Sequence, residues 1–597
     1  MRKETLDGAA NLFLPATAAE MRARGWEEVD VVLVSGDAYI DHSSFGLALI
    51  GRWLEAHGYR VAILAQPCYD GPEDFRRFGR PRLFFGISAG NLDSIVANYT
   101  GNVKVRDRDD YSPGGNPYFG ERADRRERRR PDRATIVYAQ QARQAYGDVP
   151  LILGGLEASL RRFVHYDYQQ RKLRASVLTD AKADLLVYGM GERAVVEIAR
   201  RLAEGLDLRD IPGTCERLTA RQLAERGLSE IAAAQTLPAG PRARAKSGGL
   251  LVLPGYKEIL ADSALFLAAE KTIDRLARAQ APRPLLQGQQ ALWLLQHPPA
   301  DPLTPAELDR LYALPYARRP HPEAGDVPAF RMVRDSVTIV RGCCGNCSFC
   351  AITRHQGAAL VSRSRASILA EVAAIARQSD FRGTITDLGG PTANLYGCSC
   401  SLPAGECPRR DCLYPEICAH LRIDEEALLG LLRDAAASPG VKHLLVSSGL
   451  RMELLLRTPR LLRRLLKHHT PGVLKIAPEH TEEEVLRLMH KPGGRLLEDF
   501  LRAVSRITGE EKGGRLLVNP YLISAHPGCT VAQMAKMAGK IKKLGLVPRQ
   551  FQDFTPTPGT MATAMYVSGL DQNGRPIHVA RGDRERRAQR QTLEKIR

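Results

Sequence analysis

The sequence has no run of eighteen apolar residues, so it offers no segment that could cross a bilayer as a helix. Its first seven residues, Met1-Arg2-Lys3-Glu4-Thr5-Leu6-Asp7, lack the apolar core of a secretory signal. Cysteine is scarce outside one stretch: of twelve, only Cys68, Cys215 and Cys529 lie outside residues 343–418. Such clustering argues against a disulfide framework and for metal ligation, and a reducing cytoplasm without membrane contact is the expected setting. Aromatics make up only 6% of the chain. None is interleaved among the seven arginines of residues 122–133, which weakens a reading of that run as a stacking surface for single-stranded nucleic acid.

What is present is a long, basic, otherwise ordinary globular composition. At 597 residues the chain exceeds one domain, and 44% hydrophobic with 25% charged residues suits a folded protein. The net charge of +18 favours an anionic partner, RNA or a phosphorylated metabolite, although arginines scattered along the chain equally make a solvated basic surface.

In the N-terminal half, apolar strands at 29–35, 61–65, 82–87, 149–153 and 183–188 alternate with helical periodicity at 46–55 and 194–203. That order predicts a doubly wound α/β domain over 1–205, with ligands beyond the strand carboxyl ends, where Gly154-Gly155 and Gly189-Met190-Gly191 fall. Residues 100–133 read as an exposed or disordered insertion. Residues 206–334, with Pro-rich joints, read as a connector packing between domains.

The stretch that organises the second half is Arg341-Gly342-Cys343-Cys344-Gly345-Asn346-Cys347-Ser348-Phe349-Cys350, fed by the strand Ser336-Val337-Thr338-Ile339-Val340. Cys343, Cys347 and Cys350 are spaced C-x3-C-x2-C and can converge on one metal. Iron–sulfur clusters take four cysteines as a rule, so a four-iron cluster here keeps one iron open, the mark of a reactive site. A zinc knuckle is the plainer alternative. Five more strands, near 384–388, 442–446, 473–476, 515–518 and 549–554, mostly alternate with helices, including one over 452–467. Six units predict an open partial (β/α)6 barrel over 335–565. Gly389-Gly390, Ser447, Glu479 and Thr555-Pro556 all fall on loops after its strands.

The C-x3-C-x2-C loop after the first strand, with Phe349 before the third cysteine, resembles that of radical S-adenosylmethionine (SAM) enzymes. Along nearly its whole length the chain is similar to the YgiQ-type branch of that family. The supporting stretches are Val34-Ser35-Gly36-Asp37-Ala38-Tyr39-Ile40-Asp41-His42, Gly154-Gly155-Leu156-Glu157-Ala158-Ser159, Tyr188-Gly189-Met190-Gly191-Glu192-Arg193, Gly390-Pro391-Thr392-Ala393-Asn394 and Ala477-Pro478-Glu479-His480. The resemblance implies a cobalamin-binding-like, Rossmann-like N-terminal domain before a TIM-type partial barrel. It implies a 4Fe-4S cluster on Cys343, Cys347 and Cys350, and S-adenosyl-L-methionine cleaved reductively to a 5′-deoxyadenosyl radical. Gly389 and Gly390 match the family's glycine motif for the methionine amino group, with Pro391 where an acid is common. Ser447 and Glu479 are further cofactor-binding candidates. A reductant such as flavodoxin or ferredoxin is implied, and the family leaves the substrate open.

Cys398, Cys407, Cys412 and Cys418, around an insertion at 398–418, match four further family cysteines and are candidates for an auxiliary Fe–S cluster, structural zinc, or no metal at all. Cys344 and Cys400 are extra. Asp41-His42-Ser43-Ser44-Phe45-Gly46 misses the Asp-x-His-x-x-Gly spacing of base-off cobalamin binders, so cobalamin is not expected. The N-terminal half has too few cysteines for a methylthiotransferase's second cluster. Residues 566–597 read as a basic tail, solvated or lying on RNA. The competing functional reading is a non-catalytic Fe–S or zinc protein that binds nucleic acid as a redox sensor.

Overall fold

The computed structural model describes residues 12–120, 127–230, 249–279, 281–403, 406–407, 411–510 and 517–596. The expectations for 1–7, for Arg122, Arg125 and Arg126, and for Arg515 and Leu516 lie outside the described residues.

The N-terminal half is built on one nine-stranded sheet. Its order is Leu251–Leu253, Leu285–Gly288, Trp293–Gln296, Thr214–Leu218, Leu185–Val187, Leu151–Leu153, Phe84–Ser88, Val31–Ser35 and Val61–Ala65. The five strands from Leu185–Val187 to Val61–Ala65 run parallel, in registers such as Val31 against both Val61 and Phe84. Helices cover both faces, which is why every residue of Val31–Ser35 is buried and the strand reads as continuous apolar sequence. Chain order reverses about Val31–Ser35, between Val61–Ala65 and Phe84–Ser88, making that edge the switch point where open α/β sheets take ligands.

Two stretches differ from expectation. The segment read as a connector supplies four strands to the same sheet, so its hydrogen-bonded ladder runs on past residue 205 to Gln296. The arginine run is not wholly a solvated insertion. Arg130 is 1% exposed, paired with Asp37 and, at 2.9 Å, with Asp109. A buried guanidinium between two carboxylates escapes the large penalty of a lone buried charge.

In the C-terminal half the strands pair in parallel in three groups. Ser336–Thr338 pairs with Asp387–Gly389, Thr384–Ile385 with His443–Leu444, and Val473–Glu479 with Leu517–Ser524, which also pairs with Gln550–Asp553. Among the described residues no ladder joins His443–Leu444 to Val473–Glu479; Val446 N–H donates instead to the His469 carbonyl at 2.9 Å. The core behind these strands is Val337, Ile339, Ile368, Val372, Ile375, Leu388 and Leu431, with Phe500 from a helix, Leu496–Glu510, that the sequence reading missed. The helix expected over 452–467 breaks into Met452–Leu455 and Pro459–Arg464, because Pro459 cannot donate within a helix and starts a new one.

The C-terminal segment is not a free tail. Helix Asp583–Glu594 buries Arg586, Gln589 and Leu593. Arg586 donates to Asn102 and the Phe554 carbonyl, tying the helix to both halves. Further ties between the halves are Arg318 to Glu371 at 2.6 Å and Asn102 to Asp553 at 2.6 Å.

Candidate metal centre

The cysteine loop leaves its strand at Gly342, whose φ of 79° is open to glycine, and where a Cβ would run into the Ala359 carbonyl. Ser348 anchors the far side: its N–H donates to the Met489 carbonyl at 2.9 Å and its own carbonyl accepts from Ala562 at 2.8 Å. Ser348 Oγ lies 3.3 Å from His526 Nε2, and the Phe349 ring meets His526 edge-on at 6.2 Å. Burial holds His526 neutral, down to about 4.

Within this frame Cys343 is buried, while Cys347 and Cys350 are partly exposed. Burial, then the neighbouring Cys347, push the Cys350 thiol up to about 12, so binding a metal must replace its proton. Arg451, which the sequence reading missed, closes the loop from across the site. Its Nη2 lies 3.7 Å from Cys343 Sγ and 3.6 Å from Cys347 Sγ, and Nη1 is held by Glu453 at 3.0 Å. Burial opposes this charge, yet Cys347, Cys343 and Glu453 together keep the guanidinium firmly protonated.

Cys344 turns the other way. Its thiol hydrogen-bonds Cys412, and that contact, then burial, drive it far above its ordinary range. Both pack with Cys343, Cys398 and Leu413 in one apolar cluster. Cys398 Sγ contacts the Asn394 carbonyl at 3.8 Å, Cys418 N–H donates to the Cys412 carbonyl at 2.8 Å, and exposed Cys400 sits in a hairpin with Leu421. Among the described residues, the only trio of metal-ligating side chains with ligand atoms within 4.8 Å of one another is Asp210, Glu216 and His297. There Arg226 already pairs with Glu216 at 2.5 Å. Neither cysteine set is therefore drawn in as tightly as a tetrahedral zinc, whose ~2.3 Å bonds put sulfurs about 3.8 Å apart. Three thiols on one loop, two of them facing a fixed cation, can supply the three thiolates of a 4Fe-4S cluster with one open iron.

Strand-end residues surround the loop. A Cβ on Gly390 would meet the Val340 carbonyl at 2.6 Å, and one on Gly389 would overlap Ser448 and Asp387. The backbone there must stay bare. Thr392 Oγ1 lies 3.9 Å from Cys343 Sγ. Ser447 is exposed, its hydroxyl donating to the Thr386 carbonyl and its N–H to Asp387, both at 2.8 Å. Glu479 is 6% exposed with φ of 65°, and Lys491 stands 3.7 Å from its Oε1. Its Oε2 is buried without a hydrogen-bond partner. Burial raises the Glu479 carboxyl against the pull of Lys491.

Beside these groups opens a cavity of about 580 Å³ between the halves. Ser35, Asp37, Gly90 and Asn91 line it from the switch point of the sheet, and Arg341, His355 and Gly390 from the cysteine side. Arg341 is held by Glu192 at 2.6 Å and packs over the Tyr312 ring. Buried His42 accepts from the Ser44 N–H at 3.0 Å and is not part of the cavity wall.

A family model described as "Radical SAM N-terminal" matches residues 13–336, and one described as "Radical SAM superfamily" matches residues 337–537. A UPF0313 protein of Geobacter sulfurreducens is 46% identical over 592 residues, covering 97% of this chain and 92% of that protein. The chain belongs to the UPF0313 family. A second UPF0313 protein, from Methanosarcina acetivorans, is 44% identical over 596 residues, covering 97% of this chain and 78% of that one. Among solved structures, the methyltransferase TsrM from Kitasatospora setae with cobalamin and a 4Fe-4S cluster bound aligns with a TM-score of 0.48. It has 16% identity and covers 90% of this chain and 77% of that one. OxsB with aqua-cobalamin bound aligns at 0.46 and 9% identity, covering 96% of this chain and 58% of that one.

As a UPF0313 protein of the radical SAM superfamily, the chain is an enzyme with an iron–sulfur cluster and S-adenosyl-L-methionine as its working parts. The YgiQ-type resemblance stands, and the non-catalytic sensor reading is set aside. The expectation against cobalamin needs correction. It rested on the Asp41–Gly46 spacing and on His42 as a packing residue, and neither excludes a cofactor held without a histidine ligand in the large cavity at the sheet's switch point. Among the described residues of this UPF0313 protein no helix is long and apolar enough to cross a membrane.

Proposed function

We propose that Cys343, Cys347 and Cys350 hold the 4Fe-4S cluster through three thiolates and leave its fourth iron to S-adenosylmethionine, within a partial (β/α)6 barrel spanning 335–565. The observation that carries this is the shared cation: one guanidinium nitrogen of Arg451 reaches two of the three sulfurs, while Cys344 is turned away to Cys412. Bound there, the cluster and S-adenosylmethionine supply one-electron cleavage of a carbon–sulfur bond and a 5′-deoxyadenosyl radical.

The chain's own residues supply the binding. Bare backbone at Gly389 and Gly390 lets the methionine end approach the strand edge, and Pro391 contributes no N–H. The unpartnered Glu479 Oε2 is an acceptor for an ammonium or hydroxyl donor. Ser447 acts indirectly, its N–H and that of Ser448 holding Asp387 at 2.8 and 3.0 Å. Cys398, Cys407, Cys412 and Cys418 are the ligand set for a second metal, an Fe–S cluster or zinc.

The cavity beside Gly390 is the substrate chamber. Its charged walls are already paired, Asp37 with Arg130 and Glu192 with Arg341, and burial keeps His355 neutral, down to about 4. That favours a bulky, largely uncharged organic substrate over RNA or an anionic metabolite. Anaerobic reconstitution, iron and sulfide counting, and assay of 5′-deoxyadenosine after dithionite reduction test the reading. The expected result is S-adenosylmethionine-dependent deoxyadenosine; its absence from cluster-loaded protein overturns the reading.

A further inference from the structure

We infer that Arg451 raises the reduction potential of the cluster and so acts as a positioning residue for electron entry. The inference rests on the ligand set proposed above and goes beyond it.

Four observations fix this guanidinium in place. It is 13% exposed, and Glu453 holds Nη1 at 3.0 Å. Its backbone N–H donates to Asn394 Oδ1 and its carbonyl accepts from Asn394 Nδ2, both at 3.0 Å. Nη2 is left to face Cys343 and Cys347. The loop is built around that contact, because a Cβ on Gly345 would overlap the Arg451 guanidinium.

The electrostatic consequence follows from charge. Reduction by a one-electron donor adds one negative charge to the cluster. A fixed cation with N–H groups aimed at two ligand sulfurs stabilises the reduced form more than the oxidised one. Hydrogen bonds to sulfur and local charge are among the levers by which proteins set such potentials. Glu453 offsets part of the charge, but it holds the nitrogen remote from the sulfurs, so the donor nearest the cluster stays cationic.

The test is an EPR-monitored redox titration, without S-adenosylmethionine, of reconstituted wild type, R451K, R451M and G345A, with S-adenosylmethionine affinity measured in parallel. R451M is expected to weaken the one-electron reduction equilibrium at least tenfold, about 59 mV more negative. R451K should retain most of the wild-type potential. G345A keeps the arginine but pushes it off the sulfurs, and should move in the direction of R451M. It carries the readout if R451M fails to load iron. Wild-type potentials in R451M and G345A overturn the inference, including where affinity for S-adenosylmethionine falls instead. Wild type that forms no 4Fe-4S signal overturns the ligand assignment beneath it, which is a separate outcome.

Discussion

Asn394 and Arg451 clasp one another: the Asn394 side-chain amide donates to the Arg451 carbonyl and accepts from the Arg451 N–H, each at 3.0 Å. The pair joins the loop after the second strand to the loop after the third. The Gly390–Asn394 stretch is thereby a brace for the cation over the cysteines as well as a glycine motif.

Replacing Asn394 by Ala leaves the Arg451 N–H without its partner, at about 1–3 kcal/mol where it is buried, while the Arg451 carbonyl keeps the Leu455 N–H at 3.1 Å. A fall in the melting temperature of the apo protein and weaker iron retention are expected. An unchanged melt would show that water takes the place of the Asn394 oxygen.

Cys344→Ala separates the two cysteine sets. Because the Cys344 thiol bonds Cys412, the variant is expected to keep the 4Fe-4S signal and deoxyadenosine formation within about twofold of wild type. The altered property should be the metal content owed to residues 398–418, read as iron per chain against a Cys412→Ala variant. Loss of deoxyadenosine formation in C344A would place Cys344 among the cluster ligands.

Asp37 gives a pH signature. Burial lifts its carboxyl from 3.8 to about 6, against the pull of Arg130. The native state then binds more protons than the unfolded chain between those values, so this group's contribution to stability falls as pH rises from 3.8 to about 6. Melts across that window should show wild type losing stability relative to Asp37→Asn as pH rises. The reverse slope would mean that Arg130 wins over desolvation.

Arg130→Leu strips the cation from two buried carboxylates and is expected to destabilise the N-terminal half by about 3–5 kcal/mol, the usual cost of breaking a buried pair. Chemical denaturation of the apo protein measures it, and a loss under about 1 kcal/mol would show that water replaces the pair.

Much of this was legible in the sequence because the signals were local. The strands at 31–35, 61–65 and 151–153 read directly, being short apolar runs buried on both faces, and the cysteine loop announced itself by spacing. What was missed depends on distance along the chain. Arg451 lies 108 residues from Cys343, and only its position just past the glycine after a strand marked it. Arg130 sat in a run of like charges whose other members looked solvated, and only the carboxylates of Asp37 and Asp109 show why this one is buried. The strands from 214 to 296 were absorbed into a connector because Thr214–Leu218 mixes polar and apolar residues. The Cys344–Cys412 contact joins two motifs that spacing kept apart.

The most direct test of the central claim is 5′-deoxyadenosine formation by a C343A/C347A/C350A triple variant, reconstituted and reduced beside wild type and C344A. The structure predicts no deoxyadenosine above background from the triple variant, with product from wild type and C344A. Cleavage retained by the triple variant would contradict the assignment of the reactive cluster to these three cysteines.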